Sequence, residues 1–315
     1  MSQQVLVFSN DTIQTMKQYY HHALIDIPQG AVFRAKTNFA VITAYRSGKV
    51  LFQGSAPEKE VEKWDKSAST SIPSSNRGKH KSPTTKSTYY SPPPYLFSRP
   101  HIGSDEAGTG DYFGPVTVAS AYVDEEHIKI LKEIGVQDSK KITDQTIQKL
   151  TKEILRLRIP YTLLNLHNEK YNKLQQQGWT QGKMKTLLHH HAIKKLLKKV
   201  PNRPLEGILI DQFCMPDVYK RHLSSENESL PNQTYFMTKA ESYSIAVATG
   251  SIIARASFLK EMDKLSEQVG MELPKGASQK VDRAIAELIQ LKGKDALSSC
   301  AKTHFANTQK ANAYL

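Results

Sequence analysis

Apolar positions recur at helical spacing over 11–24, where Ile13, Met16, Tyr20 and Leu24 fall on one stripe and Asp11 stands at the expected N-cap. Three β-rich runs follow: AVFRAKTN (31–38), FAVITAY (39–45) and KVLFQG (49–54). The Ser47-Gly48 turn between the last two predicts a hairpin. The pattern then changes. Residues 65–98 are rich in Ser, Thr, Pro and Lys and poor in aliphatics, so they bury little apolar surface and read as a linker, extended near Pro92, Pro93 and Pro94. From residue 99 strands and helices interleave. Strands are predicted at VTVASAYV (116–123), YTLLNL (161–166), GILIDQF (207–213) and TYFMT (234–238), with a short strand leading into Ser104-Asp105-Glu106. Helices are predicted at 142–159, with Ile147, Leu150, Ile154 and Leu157 in register, and at 179–200, 240–265 and 280–293. The domain expectation is a small α+β module over 1–64, a linker over 65–98 and an α/β domain over 99–315, with a central sheet covered by helices.

Charge adds a partner to this outline. Among 315 residues, 43 Lys and Arg oppose 30 Asp and Glu, a formal net charge of +13. Such a balance attracts polyanions, nucleic acid first and an anionic membrane surface second. No apolar run is long enough to span a membrane, no signal-like start is present, and the two cysteines, Cys214 and Cys300, make neither a disulfide framework nor a zinc cluster. A cytoplasmic location is the expectation. Arg34, Lys36, Arg46 and Lys49 decorate the first module's strands, as a nucleic-acid platform or an ordinary solvated face.

The candidate chemistry lies in acids on apolar scaffolding. Asp105 and Glu106 follow a strand, Asp211 ends the run Gly207-Ile208-Leu209-Ile210, and Glu241 opens an apolar helix. Carboxylates so placed need pairing, hydrogen bonds or a metal. Oxygen ligands without His or Cys suit Mg²⁺ or Mn²⁺. Neighbours in a flat strand face opposite ways, so Asp105 and Glu106 share a site only if the chain bends, which Gly108 and Gly110 permit. On spacing alone, a surface turn and a helix cap explain the same residues. His189, His190 and His191 are consecutive and do not face one way on a helix. The lysines of that helix, Lys183, Lys185, Lys194, Lys195, Lys198 and Lys199, follow a phosphate backbone or form a solvated face. Gly103 to Gly110 lacks the GK[ST] of a phosphate loop.

Taken together, "GSDEAGTGDYFGPVTVASAYV", "DSKKITD", "GILIDQF", "TKAESYSIAVATGSIIARASFL", "LPKGASQKVD" and "THFANTQKA" resemble the bacterial type 2 ribonuclease H family. The glycine-threonine-glycine triplet, the "TKAE" glutamate and the extra N-terminal module resemble its ribonuclease HIII branch. The resemblance implies a ribonuclease H-like fold, a mixed β-sheet flanked by helices, behind a TATA-binding-protein-like N-terminal platform. It implies an endonuclease that hydrolyses the RNA strand of RNA–DNA hybrids with two divalent ions, Mg²⁺ or Mn²⁺, leaving 5′-phosphate and 3′-hydroxyl ends. It places the four catalytic, metal-binding acids on Asp105, Glu106, Asp211 and Glu241, with Asp282 as the competitor for the fourth place. It gives Gly108, Thr109 and Gly110 to the ribose 2′-hydroxyls, and Ser139, Lys140 and Lys141 to phosphate. Thr109 stands where related enzymes carry arginine, so single ribonucleotides embedded in DNA are expected to be poor substrates. A monomer without an obligate protein partner is expected. The rivals are a non-catalytic basic nucleic-acid protein and a DNA-directed nuclease or strand transferase on the same fold.

Overall fold

The computed structural model describes residues 2–28, 30–45, 47–64, 89–139 and 142–315. Most of the expected linker, with Arg46, Lys140 and Lys141, lies outside them. The chain divides into two compact units, Met1–Thr84 and Thr85–Leu315.

The first unit contains β1 (Ser2–Val7), α1 (Asn10–Tyr19), β2 (Ala31–Lys36), β3 (Ala40–Tyr45), β4 (Lys49–Gly54) and the short α2 (Glu58–Val61). Its strands pair antiparallel in the order β1-β4-β3-β2. Ile13 and Met16 of α1 pack with Tyr20 on Phe33, Ile42 and Phe52 of the sheet. Two expectations are corrected here. The helix is capped by Ser9, whose hydroxyl accepts from the Thr12 N–H, because Ser9 is the last extended residue and Asp11 already lies in the first turn. The helix ends at Tyr19, so Leu24 leaves the stripe, is 40% exposed and bridges to Ala35. Strand β1 escapes the periodicity argument because its apolar Val5 and Val7 face outward.

The second unit contains β5 (His101–Ala107), β6 (Val116–Val123), α3 (Glu125–Glu133), α4 (Asp144–Arg156), β7 (Tyr161–Leu166), α5 (Asn168–Gln176), α6 (Gln181–Lys199), β8 (Gly207–Asp211), α7 (Pro216–Ser224), β9 (Thr234–Met237), α8 (Ile245–Val269) and α9 (Gln279–Lys292). The sheet order is β7-β6-β5-β8-β9. Strand β5 runs antiparallel to β6 and parallel to β8, so the sheet is mixed. Helix α8 lies on one face. Its Ile252 and Phe258 pack with Ile147 and Ile154 of α4 and Ile285 and Leu288 of α9, which is why α8 is apolar nearly all round. On the other face, Ile193 and Leu196 of α6 and Tyr219 and Leu223 of α7 pack on Ile102, Ile208 and Ile210. The helix expected at 240–265 begins only at Ile245, where the Ser244 hydroxyl accepts from the Val247 N–H. Residues Ala240–Ser242 form a separate 3₁₀ turn.

Candidate active site

The carboxyl ends of β5 and β8 lie side by side, with Ser104 paired to Ile210. Asp105 and Asp211, one step further along each strand, therefore sit next to one another. Gly103 and Asp105 share the face toward α8: a Cβ on Gly103 would meet Val247 N, and one on Gly250 of α8 would lie 3.6 Å from Asp105 N. Lys239 adopts a left-handed conformation (φ 57°) after β9 and turns the chain back, so that the Ala240 N–H donates to Asp211 Oδ1 at 2.8 Å and Glu241 is buried beside it. Behind this turn, His101 bonds the cap residue Ser244 at 2.7 Å. The result is a cluster in which one carboxylate oxygen from each of Asp105, Asp211 and Glu241 lies within 4.8 Å of the others.

Electrostatics make the cluster uncomfortable without a cation. Burial, followed by the charges of Glu106 and Asp211, pushes the Asp105 carboxyl well above the usual carboxylate range. Burial also raises Asp211, to about 6, against the Ala240 N–H and with the help of Glu241. Asp105 Oδ1 accepts the Glu106 N–H at 2.7 Å, while Oδ2 is buried without a hydrogen-bond partner among the described residues. An all-oxygen set with an orphaned buried acceptor fits a hard divalent ion.

Glu106 points the other way. Strand β5 continues through Ala107 and turns only at Gly108 (φ +84°), so the adjacent acids keep the alternation of a flat strand. The expectation that the glycines bend the two acids together is thus corrected, because the bend comes two residues too late. Toward α6, Glu106 Oε1 meets Lys185 Nζ at 2.6 Å and Oε2 meets His189 Nε2 at 2.9 Å. Burial alone would raise this carboxyl, but the hydrogen bond and charge of His189, with Lys185, outweigh it and hold the group at about 2.

A cleft of about 260 Å³ joins these acids to Gly108, Thr109, Gly110, Ser139 and Arg255. Gly108 is needed sterically, since a Cβ there would lie 2.2 Å from Pro115 O, whereas one on Gly110 would meet nothing within 4 Å among the described residues. The loop is held from behind. Gln181 Nε2 donates to Thr109 O at 3.0 Å, and the buried Lys302 Nζ donates to Asp111 O at 2.8 Å and Gly114 O at 2.5 Å. Lys302→Met is expected to leave those two carbonyls without that donor and to lower stability by about 1–3 kcal/mol in chemical denaturation. The KM for substrate should rise more than kcat falls.

Asp282 lies apart from the cluster. It is buried on α9 and accepts from Asn307 Nδ2 at 2.5 Å, whereas Glu241 belongs to the cluster with Asp105 and Asp211. Ser139 reaches the cleft and bonds Ser251 of α8 at 2.7 Å. Sequence reasoning named Lys185 only as a phosphate-following or solvated lysine and His189 only as one of three consecutive histidines, and it did not single out Arg255. Lys185 and His189 stand one helical turn apart on α6, a spacing that places both on one face, but nothing local marks that face as buried. Among the other lysines of α6, Lys183 pairs with Glu226 at 2.6 Å and Lys194 with Glu228 at 2.8 Å.

Residues 102–308 match the family model described as Ribonuclease HII, and residues 3–77 match one described as a domain of unknown function. The chain is 58% identical over 315 residues to Ribonuclease HIII of Oceanobacillus iheyensis, covering 100% of both chains. It is 50% identical to Ribonuclease HIII of Bacillus licheniformis, covering 99% of this chain and 98% of that relative. It is similar to the crystal structure of Bst-RNase HIII in complex with Mn²⁺, with a TM-score of 0.68, 43% identity, and coverage of 99% and 98% of the two chains. The likeness to ribonuclease H2 from Pyrococcus horikoshii, 20% identical with a TM-score of 0.56 over 68% of this chain and 98% of that one, is one of fold.

Proposed function

The chain belongs to the ribonuclease HIII branch of the ribonuclease HII family and is a ribonuclease H, and from that premise we propose how its own residues do the work. The substrate is the RNA strand of an RNA–DNA hybrid, cut internally to leave 5′-phosphate and 3′-hydroxyl ends with two divalent ions, Mg²⁺ or Mn²⁺. The observation that carries this reading is the buried cluster of Asp105, Asp211 and Glu241 at the strand ends, opening on the same cleft as the glycine loop. The Mn²⁺ complex of the Bst relative supports a divalent ion. Such ions supply Lewis acidity at the scissile phosphate.

The protein's part is to bind and orient. Asp105, with Asp211 on one side and Glu106 on the other, would be the acid common to the two ions, and Asp211 and Glu106 would each help to hold one of them. Glu241, raised on its 3₁₀ turn, is the fourth acid. Gly108 and Gly110 present backbone without side chains, which suits close approach by a ribose 2′-hydroxyl, the group that distinguishes RNA from DNA. The open space at Gly110 supports this role, since no neighbour among the described residues explains why that residue lacks a Cβ. Ser139, with Lys140 and Lys141 beyond the described residues, is assigned to phosphate, as is Arg255 in the cleft wall. The N-terminal unit is assigned to gripping the hybrid, through the sheet face opposite α1. No helix among the described residues is long and apolar enough to cross a membrane. A monomer acting in the cytoplasm is the proposed setting.

Thr109 offers no guanidinium to the junction between RNA and DNA, which leads to a discriminating experiment. Cleavage is compared on a hybrid with a long RNA stretch and on a DNA duplex with one embedded ribonucleotide. The expected result is efficient cutting of the first and cutting of the second weaker by about two orders of magnitude, the scale on which one oriented donor alters turnover. Equal rates would overturn the reading of Thr109.

A further inference from the structure

Both oxygens of Glu106 are already occupied. Lys185 Nζ holds Oε1 at 2.6 Å and His189 Nε2 holds Oε2 at 2.9 Å. Glu106 is not among the acids whose ligand atoms gather within 4.8 Å. The two partners differ in how firmly they are anchored. His189 is fully buried, and its Nδ1 bonds Ser104 Oγ at 2.7 Å, which bonds Ser120 Oγ at 2.8 Å. Its ring also stacks on Phe213 with centroids 5.2 Å apart. Among the described residues Lys185 has no such chain behind it, its Nζ donating only to Glu106. Its ammonium lies 4.0 Å over the same Phe213 ring, and its side chain is 11% exposed. A ligand carboxylate that has lost its water needs a cation, and here the cation comes from the protein.

We propose that Lys185 is a positioning residue that stands in for a divalent cation at Glu106, so that ion binding through Glu106 proceeds by exchange against the Lys185 ammonium while His189 keeps the carboxylate in place. This rests on the metal reading given under Proposed function. In this arrangement Glu106 is kept ready, with its charge balanced, and it becomes a ligand only when an ion outcompetes the lysine. Lys185 therefore weakens the second ion rather than supporting it. An ordinary outer partner that orients a ligand would act in the opposite direction.

The test is calorimetric titration of the whole protein with Mn²⁺ alone. For the parent, a tighter and a weaker binding event are expected. Lys185→Met should tighten the weaker event by about tenfold, the scale on which outer partners alter metal affinity. Lys185→Gln should do the same, which covers the case where the methionine variant folds poorly. Lys185→Arg should restore the parent's isotherm. Adding Glu106→Gln to Lys185→Met should remove the tightened event. Unchanged or weakened Mn²⁺ binding in Lys185→Met and Lys185→Gln would overturn the exchange. A parent that binds no Mn²⁺ at all would instead overturn the metal reading itself.

Discussion

Asp105→Asn is expected to lower hybrid cleavage by about 10⁴-fold, the scale seen when a residue at the reacting centre is removed, while the metal-free protein becomes more stable at neutral pH. The two effects have one cause. Asp105 is buried against Glu106 and Asp211, and its carboxyl is held well above the usual carboxylate range. A carboxyl whose folded-state pKa is raised contributes stability that is present below its unfolded value and is lost as pH rises through the folded one. Asp211, raised to about 6, behaves likewise. The metal-free parent should therefore lose stability as pH rises from near 4, the ordinary carboxylate value, through 6 and beyond. Asp105→Asn removes the Asp105 share of that loss. The measurement is Tm against pH in chelator for parent and variant, with the curves converging at low pH. A variant less stable than the parent at neutral pH would show that the cluster is held by internal partners and needs no cation.

Gly103→Ala is expected to cost about 3–5 kcal/mol or more and to deplete soluble protein, although the change adds one methyl far from solvent. A Cβ at that position would lie 2.1 Å from Val247 N and 2.2 Å from Ala246 C. Both are backbone atoms of the first turn of α8, so no side chain is available to move aside. The strand and helix that touch here also carry Asp105 and follow Glu241, so any relief of the clash separates the acids. Gly110 is the contrast. It faces open space with no left-handed requirement, and Gly110→Ala should keep the parent's Tm. Denaturation curves for both variants check the pair, and a Gly103→Ala protein with the parent's stability would contradict the close strand–helix contact.

The sequence marks acids at the ends of apolar runs well, because burying a charge there is costly and local pattern shows it. Asp105, Asp211 and Glu241 stood out in this way as a candidate cluster, although spacing alone allowed a surface turn and a helix cap equally and their roles came from the resemblance; the structure brings the three together. The way Glu106 faces was not. It depends on whether the chain bends before or after Ala107, and on partners at Lys185 and His189 that only the fold brings near. A lysine on a basic helix looks the same in sequence whether it is solvated, as most are, or buried over Phe213. The consecutive histidines do face different ways, as expected. His189 turns to Glu106 and His190 to Glu228, and only knowledge of the sheet beneath α6 shows which of them matters. The strands read from alternation or continuous apolar runs match the central sheet, because both of its faces are covered. Strand β1 did not stand out, because its apolar residues face outward.

These acids are proposed to hold divalent ions that cut RNA within a hybrid. The most direct test is a cleavage map of an end-labelled RNA strand paired with DNA, taken in Mn²⁺, in Mg²⁺ and in chelator, beside an all-DNA duplex of the same sequence and at a stated salt concentration. The account expects internal cuts ending in 3′-hydroxyls with either ion, none in chelator and none in the DNA duplex. The same cuts in chelator, or equal cutting of the DNA duplex, would contradict it.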